Sequence, residues 1–185
     1  MAEPRFEFRP VNADNWADLE NLFEARGGPK SCWCMVWRAA GAEARRSDGR
    51  SRKVALQTRV ADGVPVGILG YVDGQPVAWC SIAPRQTYRP LGGPKDFEND
   101  PGAVWSLVCF FVKREWRGRG ATEQLLAAAI REAGRRRAKF VEAYPVDPQS
   151  PSYRFMGFVD TFRKAGFKEI GRAGTRRHVM RLALR

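Results

Sequence analysis

The stretch that most limits what this chain can become runs from Ala103 to Arg137. Ala103 to Val112 is nearly all apolar, which predicts a strand buried on both faces. Arg117 to Gly134 is predicted as the clearest helix, because Ala121, Leu125, Leu126, Ala129, Ile130 and Ala133 recur at helical spacing. Gly134 stops it, and Arg135 to Arg137 lie near its negative end. Between strand and helix stands Arg117-Gly118-Arg119-Gly120.

That junction has a physical use. The first turn of a helix has backbone N–H groups without partners, and the aligned peptide dipoles place partial positive charge there. Glycines at 118 and 120 remove side chains that would keep a phosphate from those amides, while Arg117 and Arg119 add charge at the same place. The result is an anion cradle suited to a pyrophosphate. No Gly-Lys-Ser/Thr follows, so it is not a nucleoside-triphosphate loop. Position 123 is Glu where the dinucleotide fingerprint wants a third Gly.

Around this junction the chain reads as alternating elements. Phe6 and Phe8 alternate with Glu7 and Arg9 in a half-buried strand from Arg5 to Val11. Asn12 or Asp14 caps a helix with Trp16, Leu19, Leu22 and Phe23 on one face. Cys32 to Trp37 is an aromatic and sulfur patch, residues 38–50 read as a mobile connection or irregular helix, and a second helix is expected over Ser51 to Ala61. Pro65 to Val72 and Pro76 to Ala83 flank Asp73-Gly74-Gln75, a hairpin signal. Pro84 to Gly102 reads as a surface loop, Phe140 to Tyr144 as a strand, and Phe158 to Lys164 as a short helix stopped by Gly166. Phe167 to Arg172 and His178 to Leu184 form a closing antiparallel pair.

Val112 to Ala121, with the apolar strand before it and the Leu-Leu-Ala helix after it, resembles the coenzyme A motif of the GNAT N-acetyltransferase superfamily. Phe162-Arg163-Lys164-Ala165-Gly166-Phe167 is similar to that family's later Tyr-x-Lys-x-Gly-Phe helix end, and the order of elements agrees. The resemblance is good over residues 65–185 and weaker before them. It implies one α/β (α+β) domain spanning 1–185, with a mixed, mostly antiparallel sheet of about seven strands, a splayed parallel pair and about four flanking helices. It further implies acetyl-CoA as co-substrate, with Phe110, Phe111 and Val112 offering backbone groups to pantetheine. Arg117, Gly118, Arg119, Gly120, Ala121 and Thr122 would hold the pyrophosphate.

Two departures from the family pattern touch the chemistry. Members commonly carry a Tyr where this chain has Phe162, and a phenyl ring has no proton to give a departing thiolate. Tyr144 and Tyr153 are the substitutes, with Tyr144 preferred because a strand end is better fixed than a loop tip. Many members also carry a carboxylate on the strand leading into the motif, whereas Ser106 and Cys109 are the polar residues here. Glu142 is the nearest acid and shares a strand face with Tyr144, so Glu142 and Tyr144 are the catalytic candidates. Against each stands a plain alternative: an ion-paired Glu142 and a core Tyr144. A nucleophilic role for Cys109 lacks a nearby base, the single histidine being His178.

The acceptor side reads least well. Trp33, Met35, Trp37 and Trp79 are either core or an apolar acceptor wall, and Glu142 with Asp147 suggests a cationic amine. Net charge is +12, concentrated where residues 113–139 hold nine Lys and Arg against three Glu and residues 163–185 hold eight against Glu169. Such a field favours anionic partners. A basic nucleic-acid module is the weaker reading, because no helix-turn-helix, finger or stacking signature accompanies the charge. A CoA-binding protein without catalysis is the stronger rival. No apolar stretch approaches a membrane span and the start lacks a signal pattern, so a cytoplasmic protein is expected, with a homodimer left open. Four cysteines in that setting are expected free, and Cys32-Trp33-Cys34 is too tight for half of an ordinary zinc site, so no metal is expected.

Overall fold

The computed structural model describes residues 5–46 and 48–185; the first four residues, on which the reading of the chain's start rests, and position 47 lie outside it. Seven strands form one sheet in the order β1-β2-β3-β4-β5-β7-β6. In chain order these are β1 (Glu7–Pro10), β2 (Ile68–Val72), β3 (Gln75–Pro84), β4 (Val104–Val112), β5 (Phe140–Ala143), β6 (Lys168–Ala173) and β7 (Arg177–Ala183). Every neighbouring pair is antiparallel except β4 and β5. The mixed, mostly antiparallel sheet with one parallel pair is therefore as the resemblance implied. Among the described residues five α-helices accompany it: α1 (Trp16–Glu24), α2 (Gly41–Arg45), α3 (Gly49–Ala61), α4 (Ala121–Arg135) and α5 (Val159–Lys164). The short α2, one more than expected, occupies part of the connection read as irregular.

Alternation along the strands sorts side chains to two faces. One face carries Ile82, Trp105, Leu107, Val141 and Met180 and packs against α4 and α5 through Leu125, Ala129, Val159 and Phe162. On the other, Leu69, Tyr71 and Trp79 meet α1 and the turn after it through Leu22, Phe23, Trp33 and Met35, with Leu56 of α3. Among the described residues no helix covers this second face beside β5 and β7. There the segment from Pro84 to Gly102 lies down on the sheet, with Tyr88 and Leu91 buried among Val108, Tyr144 and Val179. It is thus not merely a surface loop. Its paired glycines explain the fit, since a Cβ on Gly92 would lie 2.8 Å from Ala173 Cβ and one on Gly93 3.0 Å from Val179 Cγ2.

The capping chemistry agrees with the boundaries. Asn12 accepts from the amides of Asp14 and Asn15 just before α1, and Asp48 accepts from Ser51 N–H at 2.8 Å to start α3. Helix α4 begins at Ala121 rather than at Arg117. Arg114–Trp116 form a 3-10 turn, and Gly118 and Gly120 both take φ of +71°, a left-handed conformation that delays the helix and suits glycine.

Candidate active site

The parallel pair separates as it runs. β4 meets β5 only from Val104 opposite Phe140 to Leu107 opposite Ala143, whereas β4 stays paired with β3 as far as Val112 opposite Ala78. Beyond Leu107 the sheet opens, and Val146 pairs instead with Phe158 and Arg177. A register shift sits at this fork: Ser81 faces Cys109 while Ile82 faces Leu107, so Val108 is an extra residue on β4. It places Val108 and Cys109 successively toward the α1 face and returns Phe110 and Val112 to the α4 face.

Backbone direction past the bulge follows from one bond. Lys113 N–H donates to Val77 C=O on the β3 side at 2.9 Å, and antiparallel pairing alternates direction residue by residue. Phe111 thus points its polar groups at β3, while Phe110 and Val112 point theirs into the fork. Consistent with this, Val112 C=O accepts from Arg117 Nε at 2.9 Å. Phe110 and Val112 thus turn their backbone groups toward the opening, and Phe111 sends its side chain to the α1 face.

Directly after the fork comes the α4 start. Gly120 is its N-cap and no side chain caps it, so the first amides of a 15-residue helix are open. Nothing lies within 4 Å of a Cβ on Gly118, and only Gln124 Nε2, at 3.8 Å, approaches one on Gly120. Arg117, Gly118, Gly120, Ala121 and Thr122 line a cleft of about 280 Å³ here. Arg119 stands beside it with its guanidinium 5.2 Å from the Trp116 ring.

Two further clefts continue the line. One, of about 240 Å³, shares Thr122 and Glu123 with the first and runs past Phe110 to Phe155 and Phe158. The last, of about 210 Å³, shares Phe110 and Phe155 with the second and reaches Cys34, Trp37, Cys109 and Phe111 on the α1 face. A path therefore leads from the helix start, through the fork, to the opposite face of the sheet. Of the four aromatic and sulfur residues considered for the acceptor wall, only Trp37 lines its far end. Trp33, Met35 and Trp79 are buried in the core, with Trp79 Nε1 donating to Cys34 Sγ at 3.0 Å. All four cysteines are free. A hydrogen bond with Cys34 and then burial push the Cys32 thiol up, and Cys34 is held well above its ordinary value first by its hydrogen bond with Cys109.

Glu142 and Tyr144 come together but stand behind the path, and neither lines the three clefts. Both are fully buried. Tyr144 donates its hydroxyl proton to Glu142 at 2.5 Å and lies 3.1 Å from Ser106 Oγ. Burial, followed by the Glu142 charge, drives the Tyr144 pKa well above the usual tyrosine range. The other Glu142 oxygen accepts from Arg181 at 2.5 and 3.0 Å, with Arg85 at 3.6 Å. Arg181 in turn grips Asp96 at 2.6 and 2.9 Å, which lowers the Asp96 pKa. This network spans β5, β7 and the segment lying on them. Of the two acids suggested for a cationic amine, Glu142 faces two guanidiniums, and Asp147 is exposed, 3.3 Å from His178 Nε2.

Phe162, at the family's Tyr position, is fully buried with its ring centroid 6.1 Å from Phe110 and 5.2 Å from Phe167. Tyr153, the second substitute, packs beside Trp37 and Phe155 at the cleft mouth, at centroid distances of 6.2 and 6.3 Å. Three arginines escaped the sequence reading. Arg38 is buried and donates to Cys34 C=O, Ser81, Val66 C=O and Tyr88, and Arg181 and Arg177 sit on β7. A period-two count would have found the β7 pair, because 177, 179 and 181 share one face.

A sheet forked between two parallel strands, with an open helix start beside the fork, defines an acyltransferase of the GNAT type. The sequence matches the family model "Acetyltransferase (GNAT) family" over residues 19–158, and the chain belongs to that family. Among solved structures it is similar to a ribosomal-protein-alanine N-acetyltransferase from Brucella melitensis. The identity there is 22%, coverage 96% of this chain and 99% of that one, and the TM-score 0.58. It is also similar to yncA from Salmonella typhimurium, a putative acetyltransferase solved with acetyl-CoA: 16% identity, 98% and 95% coverage, TM-score 0.58. The PaiA N-acetyltransferase of Thermoplasma acidophilum, solved with coenzyme A, agrees at 13% identity, 97% and 99% coverage and TM-score 0.56. Among curated proteins no match to the sequence was found. Among the described residues no helix is long and apolar enough to cross a membrane.

Proposed function

We propose that this chain is an acetyl-CoA-dependent N-acetyltransferase in which an acceptor amine attacks the thioester directly. The observation that carries the reading is the line of three clefts, the first meeting the second at Thr122 and Glu123 and the second meeting the third at Phe110 and Phe155. The residues present fit the co-substrate: the glycine turn leaves room for a diphosphate, the α4 amides and Arg117 and Arg119 supply donors and charge, and the fork exposes a strand edge. Two of the similar structures were solved with that molecule or its thiol form, which supports the same assignment.

Acetyl-CoA supplies an activated acetyl group. In this reading the open amides of α4 hold its diphosphate, and the backbone of Val112 and Phe110 takes the amides of its pantetheine arm. Phe110 N–H, at the junction of the second and third clefts, is the donor placed to polarise the thioester carbonyl. The amine enters past Trp37 and Cys109, from the face opposite α4. Its nitrogen bonds to the acetyl carbon as the carbon–sulfur bond breaks. The amine proton leaves to water and the sulfur takes one back, so no side chain is required as nucleophile. Glu142 and Tyr144 enter as positioning residues that fix the β5–β7 seam at the root of the fork, since the Tyr144 proton is committed to Glu142. Four free thiols fit a reducing compartment and hence a cytoplasmic location.

Calorimetry with acetyl-CoA and thiol release across an amine panel test the proposal. Saturable binding is expected, weakened at least tenfold by Arg117→Glu with Arg119→Glu and less so at high salt. Acceptor-dependent thiol release is expected alongside it. Binding without release would favour the non-catalytic reading, for which Phe162 in place of Tyr is the specific motive. No binding to folded protein would end both.

A further inference from the structure

The last cleft of the path is walled by rings. Trp37, Phe110, Phe111 and Phe155 line it together with Val36, and its volume is about 210 Å³. An apolar cavity of roughly 150 Å³ is enough to hold benzene, so this one takes a single ring with a small substituent. Val36 and Phe155 are 46% and 43% exposed, two of the four large apolar side chains left in water among the described residues. An exposed apolar rim around an apolar cleft marks a surface that a ligand covers.

Charge is missing from the same walls. Among the described residues, the ionisable side chains that line this cleft are the thiols of Cys32, Cys34 and Cys109. Hydrogen bonding and burial raise the first two, so they stay protonated at neutral pH. No described carboxylate lines the cleft to pair with an ammonium or to take its proton, and Glu142 is committed to Arg181 and Tyr144. Positive charge is nearer. The guanidiniums of Arg177 and Arg89, which do not line the cleft, lie 4.5 and 5.8 Å from the Trp37 ring centroid. An entering cation would leave water without an anion and against that field. Aromatic faces attract cations, but at Trp37 that position is taken by Arg177.

We infer that the acceptor is a small aromatic amine of low basicity, which enters as the neutral free base with its ring among Trp37, Phe110, Phe111 and Phe155. The inference rests on the acetyltransferase reading and narrows its acceptor class. A basic amine is protonated at neutral pH and needs a group that removes the proton before it can attack. An amine bonded to an aromatic ring shares its lone pair with the ring and is already neutral, so it needs no base in the cleft. Its nitrogen lone pair forms the bond to the acetyl carbon, and the carbon–sulfur electron pair leaves with the sulfur. One N–H proton passes to water at the cleft mouth and the sulfur takes one from water, which gives the N-aryl acetamide and the free thiol of CoA.

Aniline and cyclohexylamine are the critical pair, alike in size and opposite in basicity. Thiol release from acetyl-CoA is followed with both, and with spermidine and glycine, between about pH 6 and pH 9. At neutral pH kcat/KM for aniline is expected to exceed that for cyclohexylamine by roughly 10-fold or more, because an alkylammonium as basic as lysine is well under about 1% free base there. The aniline value should stay flat with pH, and the cyclohexylamine value should climb about tenfold per pH unit as free base forms. Val36→Asp, at an exposed rim position, gives an ammonium a partner and should cut the aniline-to-cyclohexylamine ratio by at least about fivefold. Melting of the CoA-bound protein needs no turnover: acetanilide should raise Tm and N-acetylglycine should not, which supports the inference even where turnover is slow. A preference at neutral pH for cyclohexylamine, spermidine or glycine, an unchanged ratio in Val36→Asp, or neither aniline turnover nor a shift with acetanilide would overturn it. Better turnover of hexanoyl-CoA than of acetyl-CoA would also overturn it, by placing an acyl chain in the cleft. Acetyl-CoA calorimetry on the same samples separates the two levels: retained binding with any of those results removes only the aromatic amine, and absent binding to folded wild type removes the acetyltransferase reading itself.

Discussion

The two ends of the cleft path are built differently. At the α4 end the recognition surface is backbone: open amides, two glycines at φ of +71° and the edge of β4, all within residues 110–122. At the acceptor end it is side chains brought from afar, with Cys34 and Trp37 after α1, Cys109 on β4 and Phe155 after β5. A site made of consecutive backbone is insensitive to most side-chain changes and vulnerable to changes in conformation. One assembled from distant side chains depends on the sheet that holds them in register.

Three substitutions probe that contrast, taken from the largest effect downward. Arg181→Met removes the main partner of Glu142, a fully buried carboxylate, and should destabilise the fold by about 3 kcal/mol in urea unfolding, because an uncompensated buried charge remains. Acetyl-CoA affinity per folded molecule should change little, the α4 turn being independent of that seam. The pairing of Arg181 with Asp96 gives a pH signature. Hydrogen bonding from Arg181 lowers the Asp96 pKa, so the wild type holds extra stability above the ordinary carboxylate range and loses it as pH falls below about 4. The methionine variant should lose less stability over that acid window.

Gly120→Val tests the other end. A β-branched residue at φ of +71° is strained and sets methyl groups at the open amides. Binding of acetyl-CoA should weaken by roughly 10-fold or more in calorimetry, for a stability loss of about 1–2 kcal/mol. An unchanged affinity would mean that the diphosphate is held elsewhere and that the two ends are not distinct in kind. Phe162→Tyr should have the smallest effect. Its hydroxyl enters a ring environment with no exposure, where Gly157, Phe110 and Phe167 pack closely, and a loss of about 1 kcal/mol is expected with acceptor turnover within twofold. A tenfold gain in turnover would show that a proton from this helix reaches the sulfur and that its delivery limits the wild type.

The sequence by itself determined the strand–turn–helix from Val104 to Arg135. Continuous apolarity, paired glycines and a helical stripe are all local, and a backbone site needs nothing more. It determined in the same way the β2–β3 hairpin at Asp73-Gly74 and the closing pair β6–β7. The tertiary structure decided what sits around Glu142. Its face-sharing with Tyr144 was visible in the alternation, but Arg181 and Asp96 reach it from a different strand and from a segment read as surface. It decided too that Trp37, and not Trp33 of the same patch, meets the cleft. Local pattern reports which face a residue takes. Which charge waits across that face depends on strand order and on the path of a loop, and those are set by packing over the whole sheet.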